Sequence, residues 1–265
     1  MSDAYELYAI RYGHHPRKAA ENFIAGDDHD TDMPLDYFVW AIVGERQTFV
    51  LDTGFDPQVA KRRGRTMIRP IEAGLKAIGV EPASVKDVIV SHMHYDHAGN
   101  LGAFPNARFH LQDAEMAYCT GRCMCHGMLR GAFEADDVAS MVHKVFEGRV
   151  EFHDGDCELA PGITLHMIGG HTKGLQIARV NTARGPVVLA SDATHLYANL
   201  ERDHPFPVLV DVDDYLEGLK TLRRLAPTPA HIIPGHDPKV LELYPAAKPG
   251  LDGIVRVDVE PRATA

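Results

Sequence analysis

The sequence predicts an α/β fold in which two mixed β-sheets pack face to face and carry helices on their outer sides. Two observations lead there. Strand-like and helical runs arrive in blocks (strands, helices, strands, helices), which suits stacked sheets better than the regular βαβ alternation of a doubly wound parallel sheet. In addition, four short segments rich in His and Asp each follow directly on an apolar, strand-like run, so polar side chains collect at strand ends.

Taken in order, residues 37–43 and 48–51 are β-type runs separated by Gly44-Glu45-Arg46-Gln47, which reads as a hairpin. Asp52-Thr53-Gly54 closes the second strand. Ile68, Ile71, Leu75 and Ile78 recur at helical spacing and predict a helix over 68–79 that stops at Gly79. Pro82 and Ser84 restart the chain, and the β-branched run 85–90 predicts a buried strand that leads into Ser91-His92-Met93-His94-Tyr95-Asp96-His97. A strand over 107–111, a helix over 113–118, a stretch rich in Cys, Met and Gly to Gly131 and a helix over 135–146 follow. The second half repeats the pattern, with strands over 150–152, 164–168, 176–180 and 186–190, a helix over 212–225 and a last strand over 230–233.

The 265 residues suffice for one large domain with a filled core, so residues 1–265 are expected to form a single domain. An apolar share of 45% and a charged share of 24% are those of an ordinary globular protein, which excludes a disordered or fibrous chain. A formal net charge of -10 argues against nucleic acid as a partner, because no excess of Lys and Arg exists to displace phosphate counterions. No apolar run is long enough for a bilayer, and the first residues lack a secretion signal, so the expected location is cytoplasmic and no membrane partner is expected. A homodimer is left open. The four cysteines read as reduced thiols.

Sixteen histidines invite a search for clustering. In an extended segment alternate side chains point the same way, so His92 and His94 project together, while Asp96 and His97 belong to the turn that follows. Gly169-Gly170-His171-Thr172, Ser191-Asp192-Ala193 and Pro234-Gly235-His236-Asp237 supply further donors. Imidazole and carboxylate without thiolate suit zinc, and also manganese or iron. Cys119, Cys123, Cys125 and His126 lack a matching second pair of ligands and a regular spacing, which counts against a structural zinc site. Met124, Met128 and Met141 read as core or as a pliable pocket wall, and residues 119–133 are expected to border the substrate entrance. The remaining histidines show no pattern.

In order and spacing these segments resemble the metal-binding motifs of the metallo-β-lactamase superfamily, and Val50-Leu51-Asp52-Thr53-Gly54 resembles its early strand. The resemblance spans most of the chain and implies an αββα sandwich. It makes His92, His94 and His171 ligands of one metal, Asp96, His97 and His236 ligands of a second, and Asp192 a bridge between them. Two divalent ions are implied, Zn2+ foremost, with Mn or Fe as options. Asp52 resembles the family's supporting aspartate, and a plain turn-capping role is its other reading.

Two neighbouring metals lower the pKa of a shared water and polarise a carbonyl, which implies hydrolysis of an acyl bond by a bridging hydroxide. A glutathione thioesterase of this family should carry a longer helical C-terminal region than the 29 residues after His236. A common zinc β-lactamase should have cysteine in place of Asp192, an RNA nuclease a basic surface, and a flavodiiron oxidase glutamate in place of His94. The chain is most similar to the N-acyl homoserine lactonase-like branch, which would make it a quorum-quenching enzyme. It shares that branch's length and the Asp-His-Ala-Gly-Asn continuation from Asp96 to Asn100. That branch places a tyrosine three residues after the bridging aspartate, where His195 stands here, with Tyr197 two further on. Asp96, His195 and Tyr197 are therefore the candidate catalytic residues. The implied substrate is an N-acyl homoserine lactone or similar small cyclic ester. Another acyl bond (cyclic amide, ester or thioester) and an iron-dependent oxygen-using reaction are the alternatives.

Overall fold

Alternation along residues 35–51 sets the architecture. Phe38, Trp40, Ile42, Phe49 and Leu51 point to one side and Val39, Ala41 and Val50 to the other, and both sides are buried. A strand buried on both faces needs a layer above and below it. The computed structural model, which describes residues 4–262, supplies both.

The strands are β1 (Glu6–His15), β2 (Leu35–Val43), β3 (Thr48–Leu51), β4 (Thr66–Met67), β5 (Asp87–Ile89), β6 (Arg108–Gln112), β7 (Val150–His153), β8 (Cys157–Ala160), β9 (Ile163–Met167), β10 (Gln176–Thr182), β11 (Gly185–Leu189), β12 (Ile232–Ile233) and β13 (Ile254–Arg256). The first sheet runs β13-β1-β2-β3-β5-β6-β7, with β4 paired to β1, and the second runs β12-β11-β10-β9-β8. Both are mixed, since β3, β5, β6 and β7 pair in parallel, as do β11 and β12, while the other pairs are antiparallel.

Between the sheets, Leu7, Trp40, Phe49 and Ile89 meet Leu165, Val180, Val187 and Leu189. Outside the first sheet, Ile10, Val88 and Phe109 are covered by Ile71 and Leu75 of helix Ile71–Ala77 and by Met141 of helix Ala135–Phe146. Outside the second, Ile177, Val188 and Ile232 are covered by Tyr215, Leu219 and Leu222 of helix Val212–Leu225. The layers are thus helix, sheet, sheet, helix. Each such large apolar side chain contributes roughly 1.5–3 kcal/mol on full burial, so the layering rests on many comparable contacts.

The hairpin and the helices over 135–146 and 212–225 fall where the sequence predicts them. The helix expected over 68–79 is confined to Ile71–Ala77, because Pro70 disfavours helical backbone before it and the amides of Ile68 and Arg69 bond to Tyr12 O instead. The strand expected over 230–233 shrinks to β12, since Pro229 opens a short 3-10 turn through His231. β1, β8, β13 and helix Pro57–Arg62 were not predicted. Among the described residues no helix is long and apolar enough to cross a membrane.

Candidate metal centre

The loop after β5 turns back on itself because Asp52 and Ser91 are tied together. Asp52 sits at φ +66, accepts the backbone N–H of Ser91 at 2.7 Å and its hydroxyl at 2.8 Å, and takes Nδ1–H of His97 at 2.8 Å. The opposing loop, after β11, carries Ser191 at φ +44, and the two serine hydroxyls meet at 2.9 Å. Two non-glycine residues in the left-handed region, one on each sheet, mark backbone held in place by its surroundings at a working site.

A third loop, holding His171, is fitted into place by glycines. At Gly170, φ is +82, and a Cβ would lie 2.4 Å from the backbone nitrogen of Tyr215. At Gly174 a Cβ would lie 2.1 Å from the backbone nitrogen of Glu115. The buried carboxylate of Glu115 accepts N–H from Met93 at 2.9 Å and from Gly174 at 3.1 Å, and so clamps two loops together. Sequence reasoning missed Glu115, because nothing in a surface-patterned helix start announces a buried acid.

These loops bring together the histidines and aspartates that the sequence singles out. His92, His94, His171 and Asp192 present donor atoms within 4.8 Å of one another, and Asp96, His97 and His236 form a second group. Asp192 faces both. Its Oδ2 lies 3.1 Å from His171 Nε2 and 3.8 Å from His92 Nε2, while its Oδ1 lies 2.9 Å from His236 Nε2 and 3.3 Å from His97 Nε2. All seven side chains are buried.

The donor set fits metal. His171 donates Nδ1–H to Val208 O at 2.7 Å, His236 to Asp36 O at 3.0 Å and His97 to Asp52, which turns each Nε2 inward, free to meet a cation. His171 Nε2 lies 2.9 Å from His94 Nδ1 and 3.2 Å from His92 Nε2, and His97 Nε2 is buried with no hydrogen-bond partner. Such crowding of lone pairs calls for cations among them, and nitrogen with carboxylate oxygen suits zinc, manganese or iron.

Protonation points the same way. Burial, then the neighbouring imidazoles, holds His92 and His94 well below the usual histidine range, in the neutral form that binds metal. Burial alone would depress His97 too, but Asp192, Asp96 and Asp52 outweigh it and raise His97 well above that range, so a cation at its Nε2 would displace a proton. Burial pushes Asp192 up, yet His195, His236, His97 and His171 around it bring it well below the ordinary carboxylate range.

His195 joins this group. Its Nε2 lies 3.0 Å from Asp192 Oδ2, its ring stacks on Phe206 with centroids 3.7 Å apart, and it lines the cavity above the cluster. Burial is the main cause that brings its pKa down to about 3, so its imidazole is neutral. Tyr197 is not brought there. It opens helix Tyr197–Glu201 and packs against the inter-sheet core, where burial and then Tyr244 raise its hydroxyl well above the usual range. The turn at Leu196 swings the next side chain away from the cavity, so Tyr197 is not among the residues that line it.

The cavity has a volume of about 330 Å³, with Asp96, Asp192, His94, His171, His195 and His236 among its lining residues. From residues 119–133, Met128, Leu129, Gly131 and Ala132 line it, whereas Met124 packs into the outer core instead. Cys119, Cys123 and Cys125 are free thiols, and none belongs to a group of converging donors among the described residues. Burial and then Glu115 push the Cys119 thiol up to about 12, which leaves it inert. Arg17, Arg63 and Arg65 also line the cavity. Sequence reasoning missed all three, since nothing in the sequence marks Arg17 as a neighbour of residues 63–65.

With the geometry in hand, the family model described as the metallo-beta-lactamase superfamily matches residues 33–236. The chain is 32% identical over 165 residues to an N-acyl homoserine lactonase of Bacillus sp, covering 62% of this chain and 60% of that protein. It is 31% identical over 179 residues to the N-acyl homoserine lactonase AttM of Azorhizobium caulinodans, covering 63% of each. The matched part thus spans under two thirds of these relatives. A solved quorum-quenching N-acyl homoserine lactone lactonase superposes with a TM-score of 0.73 at 26% identity, covering 89% of this chain and 93% of that one. A probable metal-dependent hydrolase from Staphylococcus aureus shares the fold at a TM-score of 0.76 and 15% identity, covering 99% and 97%.

Proposed function

This chain belongs to the metallo-β-lactamase superfamily, and from that premise we propose that it is a dinuclear metal-dependent hydrolase that opens a lactone of the N-acyl homoserine type or a similar small cyclic ester. One observation carries the reading. Seven buried donors divide into two groups that share Asp192, at the floor of a cavity sized for a small ligand. The likeness to named lactonases supports a lactone as the bond.

His92, His94, His171 and Asp192 would hold one ion, and Asp96, His97, His236 and Asp192 the other. Bound there, two divalent ions supply an acidified water and polarise a carbonyl. The chain's own groups do the rest. Asp96 lies with its Oδ2 3.6 Å from His97 Nε2 and 3.7 Å from His236 Nε2, where its carboxylate takes the proton of the attacking water and passes it to the leaving alkoxide. His195, neutral and fixed on Phe206, gives its Nε2–H to Asp192 Oδ2 at 3.0 Å in this structure; turned to a substrate in the cavity, the same N–H would serve the oxygen that gains charge. Met128, Leu129, Val208 and Leu209 exclude water around the acyl part.

The test is a pH-indicator screen of metal-reconstituted protein against lactones, cyclic amides, thioesters and β-lactams. Lactone turnover that exceeds the others is the expected result. Preference for a cyclic amide or thioester would move the reaction to another acyl bond, and oxygen-dependent redox turnover with iron would overturn hydrolysis.

A further inference from the structure

Three arginines line one cavity, and they are not equivalent. Arg63 is fully engaged: it pairs with Glu134 at 2.7 Å, donates to Gly131 O and Phe133 O, and lies 4.1 Å over the Tyr95 ring. It straps the cavity wall together. Arg17 and Arg65 form no ion pair with any described carboxylate. Arg17 donates to the backbone carbonyl of Glu21, whose own carboxylate accepts the Lys18 amide at 2.7 Å. Arg65 donates to Tyr95 Oη at 3.0 Å, to Arg63 O at 2.7 Å and to His15 Nε2 at 3.0 Å.

Beside this pair, buried donors are left unused. The Nε–H of Arg17 is buried without a partner, and so is Nδ1 of His15. Burial, then Arg65 and Arg17, brings His15 down to about 4, so its ring is neutral; with Nε2 accepting from Arg65, the ring proton sits on Nδ1. Burial is also the first cause that lowers Arg17. Burial weighs most on Arg65 too, but Tyr37, Tyr95 and Asp96 together outweigh it and raise Arg65, so its charge is held at the cavity wall. A half-buried guanidinium with an idle donor, as at Arg17, costs desolvation that a neutral acyl chain would not return.

Both arginines connect to the reacting end. Arg17 lies 5.2 Å over the ring of Phe206, the platform of His195. Arg65 reaches Tyr95, whose hydroxyl is 3.1 Å from that of Tyr37, and the Tyr37 ring sits 5.1 Å from His236. A ligand held over the metal-site histidines shares its cavity with both guanidinium groups.

We propose that Arg17 and Arg65 bind a carboxylate on the substrate, so that the preferred lactone is an anionic one. Planar guanidinium forks match carboxylate geometry, and charge-assisted hydrogen bonds are the stronger kind. The proposal rests on the lactone reading above for the reaction, and on the arginine pair for the added group.

The experiment compares two γ-lactones that differ only at the end of the side chain, one a carboxylate and the other its methyl amide. Metal-loaded wild type, Arg17→Gln, Arg65→Gln and Arg65→Lys are assayed for the ratio of kcat/KM between them. Wild type should favour the acid by at least about tenfold, and each Gln variant should reduce that ratio by about tenfold to a hundredfold, mainly through KM. Arg65→Lys, which keeps the charge, should retain part of it. A wild-type ratio near one, or equal losses on both substrates, would overturn the proposal and leave the arginines as wall supports. Calorimetry with the two ring-opened products gives a readout that needs no turnover. If no lactone is opened, the reaction proposed above fails, while tighter binding of the ring-opened acid that weakens in Arg17→Gln still sustains carboxylate recognition. Equal binding of both products by both proteins ends it.

Discussion

His97 Nδ1 lies 2.8 Å from Asp52 Oδ2, in a carboxylate that also accepts the backbone amide and hydroxyl of Ser91. This contact sets the proton on Nδ1 and turns the Nε2 lone pair of His97 toward Asp96 and Asp192. It also selects between the two sequence readings of Asp52, because a residue that only capped a turn would not reach the far loop.

Asp52→Asn is therefore expected to keep the fold, since asparagine tolerates φ +66, yet to lose the charge that fixes the imidazole. Metal affinity should fall by roughly ten- to hundredfold, as for other partners of ligating histidines. Competition with a chelator, read as metal retained per chain, measures it. Retention equal to wild type would reduce Asp52 to a structural turn residue.

Asp192 spans the two donor groups with one oxygen each. Protein purified without chelator should hold two ions per chain, and Asp192→Ala should lower both metal content and turnover. His143, on the helix Ala135–Phe146 and outside the cavity, serves as the control, and His143→Ala should change neither. A fully active enzyme with one ion per chain would contradict the shared bridge.

The parts of the site that were legible in the sequence are those whose chemistry is local. His92, His94, Asp96 and His97 fall within one turn, and each remaining donor follows an apolar run that reads as a strand, so the fold and the donors could be inferred together. What was not legible depends on distance. Glu115 lies 59 residues from Gly174, Arg17 and Arg65 converge from separate strand ends, and no spacing announces either. β1 was missed because its buried positions are interrupted by Tyr, Arg and His, and its partners β2 and β13 lie far along the chain. Tyr197 shows the limit from the other side. It lies two positions beyond His195, and the helix start at Tyr197 sends one side chain to the cavity and the other to the inter-sheet core.

That separation is testable. His195→Ala should lower turnover by about tenfold to a thousandfold, the range for a positioned donor to developing charge, with metal content unchanged. Tyr197→Phe should stay close to wild-type turnover, because its hydroxyl lies among Tyr244 and the inter-sheet core. The reverse pattern in single-turnover assays would place the substrate on the Tyr197 side.

Asp137 gives a prediction about stability that does not involve the metals. It lies in the first turn of helix Ala135–Phe146, largely buried, with its Oδ2 lacking a partner. Burial, then Glu134, Asp56 and Asp136, pushes its pKa up to about 7. An unfolded aspartate titrates near about 3.9, so between roughly pH 4 and 7 the folded chain keeps a proton that the unfolded chain has released. Its contribution to stability is therefore largest at low pH, declines as pH rises through that window and is flat above 7. Asp137→Asn removes the titration while keeping a polar group of the same shape. The variant should melt above wild type at pH 8, and the gap should narrow steadily as the comparison is moved down to pH 5. Calorimetric melting of both proteins at each pH, with metal content matched, makes the measurement. A gap that stays constant with pH would show that the Asp137 carboxyl titrates in the folded protein as it does in water.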